Sequence, residues 1–455
     1  MRMCGIAAAT VFFSGDAAVA QNLSARLDST MRVAERAGFS GVVRVEGGGK
    51  LLLDKGYGLA NRAAKIPFSP ETVVQIGSNT KDFTAVAILQ LQSAGKISLG
   101  DSIGKYLSSV PADKRPITIR QLLDHRAGLP ADVGGDFDPF SRELLIDSAM
   151  HTALLFPPDV RESYSNTGYS VLAAIIEQVT GKSYDVYIRD AILSPLGLRR
   201  TGFLLPGFAP QELAHGYLAK GTDNGTMLAK PHASDGPYWN LRGNGGMLST
   251  TGDMHAFYRA VFEGNSLLTA AARGGRFPPD APIGLAGSDG VNFFLYDRFP
   301  GMRTEIIIAS TNAAMKAPMI RRELGRVLGL PNPGGDGSDV VAERPGGKAA
   351  PPGMARMLVA MIEAINSGNE ADLRRFITDN FASEAGGPSV DERTQRILRL
   401  HENLGAITIE KIETFDEGPV AMRLKSSVQG VGILTIMMSR SEPYRIQSLQ
   451  ILFGG

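Results

Sequence analysis

Residues 83–91, Phe-Thr-Ala-Val-Ala-Ile-Leu-Gln-Leu, constrain this chain more than any other stretch. Phe83, Val86, Ile88, Leu89 and Leu91 fall on several faces of a helix rather than along one stripe. Such a helix needs neighbours all round, so it is predicted to lie buried at the centre of a layered domain. Directly before it comes Ile76-Gly77-Ser78-Asn79-Thr80-Lys81. Ser78 and Lys81 are three apart, so on a helix they share a face and project to one spot. That spacing gives a serine hydroxyl the nearby amine that nucleophilic catalysis requires. The competing reading is that Ser78 caps the helix start, the usual job of serine there. A second copy of the pattern, Ser93-Ala94-Gly95-Lys96, sits where Gly95 stops the helix, and no catalytic role is assigned to it.

The rest of the chain builds around this helix. Residues 40–45 and 51–57 read as strands joined by Gly47-Gly48-Gly49, and 72–76 as a short β-branched run. Helices are predicted over 117–126, 168–180 (stopped at Gly181) and 251–262. Late strands follow over 293–296 and 304–309, then a closing helix over 315–328. Strands at both ends with helices between predict one sheet made from N- and C-terminal segments, plus an inserted helical region. Residues 331–353 read as a Pro/Gly linker. Residues 354–455 give helices first and alternating runs after, a small α+β unit whose pattern resembles the cone-shaped nuclear-transport-factor-like folds.

Composition removes several function classes. The 455 residues carry a net charge of +1, so nothing points to nucleic acid or an anionic surface. Cys4 is the only cysteine, which excludes a disulfide framework or a cysteine-rich metal site. His125, His151, His215, His232, His255 and His401 show no close ligand pairing in sequence, so no metal and no cofactor are expected. Arg2, the apolar stretch Ile6 to Phe13 and Ala18-Val19-Ala20 read as a leader over residues 1–20, with the mature chain at Gln21 and an exported, periplasmic or secreted destination. The alternative is an ordinary N-terminal helix. No stretch approaches the ~20 apolar residues of a membrane span.

A second chemical element is Tyr164-Ser165-Asn166, just before the 168–180 helix. A phenol there is a candidate proton shuttle if an ammonium beside it lowers its pKa from about 10. Asn166 offers both a donor and an acceptor to a substrate and to the lysine. The competing reading of Tyr164 is an aromatic that anchors a helix start. Tyr238-Trp239-Asn240 matches the same pattern.

Taken together, these pieces resemble the serine β-lactamase-like superfamily, in the branch joining class C β-lactamases, D-Ala-D-Ala peptidases and related esterases. The likeness is carried by Phe68 to Thr72, Ile76 to Lys81, Gly95 to Asp101, Ile117 to His125, Ala127 to Pro130, Tyr164 to Tyr169, Pro195 to Leu198, Gly245 to Thr250 and Ser310-Thr311-Asn312, in family order. It covers roughly residues 35–330, within a hydrolase domain taken as 21–330. It implies an antiparallel sheet flanked by helices with a helical subdomain. It also implies Ser78 as the acylated nucleophile, Lys81 and Tyr164 as the acid/base pair, and Asn166 as a substrate ligand. His125 is expected to be structural.

One element departs. The family's third motif, Lys-Thr-Gly or His-x-Gly, is absent, and Leu285-Ala286-Gly287 stands in its place. By resemblance Gly287 still allows close backbone approach, and the amide groups of Ser78 and Ser288 form the oxyanion hole. Leu285 offers no cation to a substrate carboxylate. The expectation is therefore a serine hydrolase of small esters, amides or peptides rather than an efficient β-lactamase. The alternative is a penicillin-binding-type protein with a degenerate site and little turnover.

Overall fold

The computed structural model describes residues 14–218, 221–311, 317–330, 348–349, 351–382, 389–414, 420–428, 430–438 and 445–453. Most of the expected leader and most of the expected linker lie outside these residues. Helix α1 (Ser14–Arg36) runs through the expected cleavage point at Ala20.

The sheet forms from both ends of the hydrolase segment, as predicted. Strands β1 (Gly41–Gly47) and β2 (Lys50–Tyr57) make a hairpin. Gly48 and Gly49 close it with φ of 61° and 76°, the two positive values that a two-residue turn of matching twist demands. Strand β3 (Ile283–Ser288), β4 (Phe293–Phe299) and β5 (Thr304–Ser310) complete an antiparallel sheet in the order β2-β1-β5-β4-β3. β3 was not legible as a strand. Its run Ile-Gly-Leu-Ala-Gly-Ser holds only one β-branched residue, and tertiary pairing with β4 makes it a strand.

Alternation along the strands splits the sheet into two faces. Val43, Val45, Ile306 and Ile308 pack under α1 and helix α5 (Ala317–Leu328), through Leu27, Met31 and Leu324. Val42, Phe294, Tyr296 and Ile307 face the other way, into the main core. Helix α2 (Thr80–Ser93) lies in that core, buried from Thr80 through Leu89. Phe83 stacks on Phe257 at 3.8 Å between centroids. Helix α3 (Asn166–Thr180) starts under a Ser165 cap and ends at Gly181 with φ 67°. Helix α4 (Thr251–Phe262) supplies Phe257 and Tyr258. The helix expected over 117–126 is a shorter Ile119–Leu123, fixed by a capping box between Thr118 and Gln121.

At the far end of β1 and β5, His255 stands between Glu46 (3.1 Å) and Glu305 (3.0 Å). The three ligand atoms are close enough to hold a metal ion, a pairing invisible in sequence spacing. Each is already engaged in an ion network that includes Arg44 on Glu46, and Tyr296 and Arg298 on Glu305.

The C-terminal unit has its own core. Helices α6 (Pro352–Ser367), α7 (Glu370–Asn380) and α8 (Val390–Leu404) precede strands β6 (Ile407–Thr414), β7 (Val420–Ser426), β8 (Gly430–Met438) and β9 (Ile446–Phe453). The strands form an antiparallel meander. Leu358, Met361, Leu424 and Ile436 are among its fully buried residues. Asn366 ties helix to sheet by bonding both the N–H and the C=O of Ile407, at 2.8 and 2.7 Å.

Since Phe83 is 0% exposed and stacked, Phe83→Ala is expected to destabilise the main transition by about 3–5 kcal/mol in a denaturant titration. A loss below about 1 kcal/mol would mean that α2 is not the packing centre.

Candidate active site

Ser78 belongs to a 3-10 turn, Gly77–Asn79, that leads into α2. It is not the helix cap. The cap position falls on Asn79, which makes no side-chain capping bond. The Ser78 Oγ instead lies 2.6 Å from the Tyr164 hydroxyl and 3.2 Å from the Lys81 Nζ. Lys81 also donates to Asn166 Oδ1 at 2.7 Å and to the Asn244 carbonyl at 2.8 Å. Three segments far apart in sequence, around residues 78–81, 164–166 and 244, thus meet around one amine.

The duplicates fall elsewhere. Ser93 bonds back to the Leu89 carbonyl at the end of α2, and Asn240 donates to the Gly135 carbonyl.

Lys81 is 4% exposed, and burial pulls its pKa down to about 7 against the attraction of Asp132, Asp82 and Asp136. A neutral amine has two N–H groups and one lone pair. Its two shorter bonds, to Asn166 and Asn244, can use the N–H groups. The lone pair then faces the Ser78 hydroxyl, the arrangement a proton acceptor needs.

Tyr164 behaves differently from the expectation of a depressed phenol. Burial pushes it up to about 12, outweighing the hydrogen bond from Ser78 that works the other way. A phenol in this state keeps its proton and donates. Lys81 Nζ lies 4.7 Å from the centre of its ring, placed to gain from the ring face when charged.

His125 takes the structural position expected of it. Its Nδ1 accepts from the Ser165 N–H at 3.1 Å, and its ring lies 4.6 Å from Tyr164 and 5.1 Å from Tyr169. Burial, with Lys81 and Arg276 nearby, holds its pKa down to about 3, so it stays a neutral acceptor. Behind Ser78, Asn79 donates to the Tyr258 hydroxyl, which donates to Asp82.

Gly287 and Ser288 lie against the turn that carries Ser78. A methyl on Gly287 would come within 2.0 Å of the Ile76 carbonyl and 2.7 Å of the Ser78 nitrogen. One on Gly77 would meet the Ser288 nitrogen at 2.6 Å. Leu285 precedes Gly287 by two residues, so it shares that face of β3. It packs against the main core.

Two residues of the site escaped sequence reasoning. Asn244 acts through its backbone carbonyl, which leaves no trace in residue type. Asp132 accepts from Asn166 Nδ2 at 2.9 Å, and only the fold brings it there.

Fold and site together define a serine-lysine-tyrosine constellation at the junction of an antiparallel sheet and a helical region. Residues 20–298 match the model of the beta-lactamase family, and the chain belongs to that family. It is 34% identical over 191 residues to protein flp of Staphylococcus aureus, covering 40% of this chain and 38% of that one. It is 32% identical over 227 residues to the putative penicillin-binding protein PbpX of Bacillus subtilis, covering 50% and 56%. The chain thus spans little more than a third to just over half of these relatives. The octameric penicillin-binding protein homologue from Pyrococcus abyssi superposes with a TM-score of 0.56 at 21% identity, over 95% of this chain and 98% of that one. That likeness establishes the fold.

Gly287→Ala is expected to slow labelling of Ser78 by a fluorophosphonate about 10²-fold, because the strand must retreat from the turn. Gly275→Ala, where nothing lies within 4 Å, serves as the control and should label at the wild-type rate. Equal rates for the two variants would show that the contact does not set the geometry.

Proposed function

We propose that this chain is a serine hydrolase that works through a covalent acyl-enzyme on small esters, amides or peptides. The observation that carries the reading is the Lys81 amine, buried and drawn toward neutrality, within 3.2 Å of the Ser78 hydroxyl. Membership of the beta-lactamase family supports it.

In this reading Ser78 Oγ bonds the carbonyl carbon as its proton passes to the Lys81 lone pair, and the carbonyl π pair moves onto oxygen. The amides of Ser78 and Ser288 receive that oxyanion. The pair returns and the bond to the leaving alkoxide or amine breaks. The leaving group takes a proton from the Tyr164 hydroxyl, and the phenolate so formed takes one from the Lys81 ammonium, which returns to the neutral amine. Water then repeats the sequence. It gives a proton to Lys81, its oxygen bonds the acyl carbon, and Ser78 departs with its proton restored. Asn166 orients both the amine and the bound acyl group. With Leu285 where a cation would bind a substrate carboxylate, uncharged esters suit the site better than carboxylate-bearing β-lactams.

Intact mass after incubation with a fluorophosphonate, a labelled penicillin and a p-nitrophenyl ester panel tests this. Wild type should gain an adduct and turn over esters, and Ser78→Ala should do neither. No adduct and no turnover with any probe would sink the proposal.

The pH profile is a separate check. Lys81 accepts a proton only when neutral, and its neutral fraction grows as pH rises through about 7. Ester kcat/KM is therefore expected to climb with pH and reach half its plateau near 7. A flat profile between pH 5.5 and 8.5 would remove Lys81 as the base.

A further inference from the structure

The loop after Pro130 is strapped to the helix that presents Asn166. The Ala131 carbonyl accepts from the N–H groups of both Asn166 and Thr167, at 2.8 and 3.0 Å. The next residue, Asp132, turns its carboxylate to the Asn166 carboxamide, with Nδ2 to Oδ1 at 2.9 Å. Asn166 in turn accepts from Lys81. An aspartate oxygen therefore sits two hydrogen bonds from the amine beside Ser78.

Positioning Asn166 uses only one oxygen. Among the described residues the Asp132 Oδ2 has no protein hydrogen-bond partner, and no arginine, lysine or histidine forms an ion pair with Asp132. Asp136, four residues on in the same loop, also has no ion pair among them. Burial and the nearby Asp132 push Asp136 up to about 6, with Arg396 of α8 and Lys81 acting against that. Asp289, at the end of β3, adds negative charge, although its oxygens are already taken by the N–H groups of Val291 and Asn292 and by the Asn292 side chain. On the strand itself Leu285 brings no positive charge. At a pH where Lys81 is neutral, Arg396 still acts on Asp136, but among the described residues no cation is paired with Asp132.

We propose that Asp132 selects acyl donors with a cationic group next to the scissile carbonyl. Aminoacyl esters or amides with a free α-ammonium are the chemical class. This rests on the serine hydrolase reading above. An α-ammonium is attached to the carbon next to the carbonyl, on the acyl side that Asn166 orients. A carboxylate bonded to that same carboxamide is where such an ammonium would be received, through a charge-assisted bond to the free oxygen.

The test compares alanine methyl ester with isobutyric acid methyl ester, in which a methyl replaces the ammonium. Both are assayed at pH 7, below the usual α-amino range of about 7.7–8.0. An ammonium also activates an ester intrinsically, so the readout is the change in the ratio of the two kcat/KM values between wild type and Asp132→Asn. Asparagine keeps an oxygen to accept from Asn166 and removes the charge, so a purely positioning role would leave the ratio unmoved. The ratio is expected to fall about tenfold, equivalent to about 1.4 kcal/mol. In wild type, added salt should raise KM for the alanine ester and leave the isobutyrate KM unchanged. This second measurement stands even if the variant folds poorly.

A ratio unchanged in Asp132→Asn, or a salt response shared by both esters, overturns the proposal and leaves the hydrolase reading intact. No turnover of either ester together with no Ser78 adduct overturns both.

Discussion

A primary amine sits at the centre of this molecule with almost no access to water. Burying a lysine in its charged form is expensive, and a folded protein meets that cost by neutralising the group, by surrounding it with acceptors, or by both. Lys81 does both. Its pKa is drawn down to about 7, and Asn166 and Asn244 take its N–H groups. Most of the architecture around it follows from that requirement. The amine must come from a helix buried on all sides, which only a layered domain provides. Its acceptors must be held rigidly, so one comes from the capped start of α3 and the other from a backbone carbonyl just before the Leu248–Ser249 strand.

Much of this was legible in the chain because the signals are local. The apolar residues of α2 and the glycine that ends α3 each specify an element through nearby chemistry. The triad of Ser78, Lys81 and Tyr164 came from motif order, and the structure brings all three together. What stayed hidden depends on burial and on tertiary pairing. β3 has few strand-forming residues and exists because β4 offers it hydrogen-bond partners. The protonation of Tyr164 was misjudged because sequence reasoning weighed a neighbouring ammonium, whereas desolvation of the phenol dominates once the ring is packed in place. Asn244 entered the site through its backbone carbonyl, which residue type does not announce, and Asp132 through a loop that only the fold brings to Asn166.

The two units of the chain solve the packing problem separately. The larger one sandwiches its sheet between α1 and α5 on one side and the main core on the other. The smaller one has a core of its own, with helices preceding the meander in the order read from sequence. The structural match over 95% of the chain includes this second unit, whereas the family match ends at residue 298.

The contact between Gly77 and Gly287 has a consequence for how chains of this kind can vary. Side chains on a strand alternate between faces, so the residue pressed against the Ser78 turn is decided by parity. Moving β3 by one position against β4 would bring Ala286 or Ser288 to the place where even a methyl meets the Ile76 carbonyl at 2.0 Å. Insertions and deletions ahead of β3 are tolerable only where a loop absorbs them before pairing begins. Length variation is thus channelled into the loops around the cleft, while the seam between strand and nucleophile turn behaves as a fixed gauge.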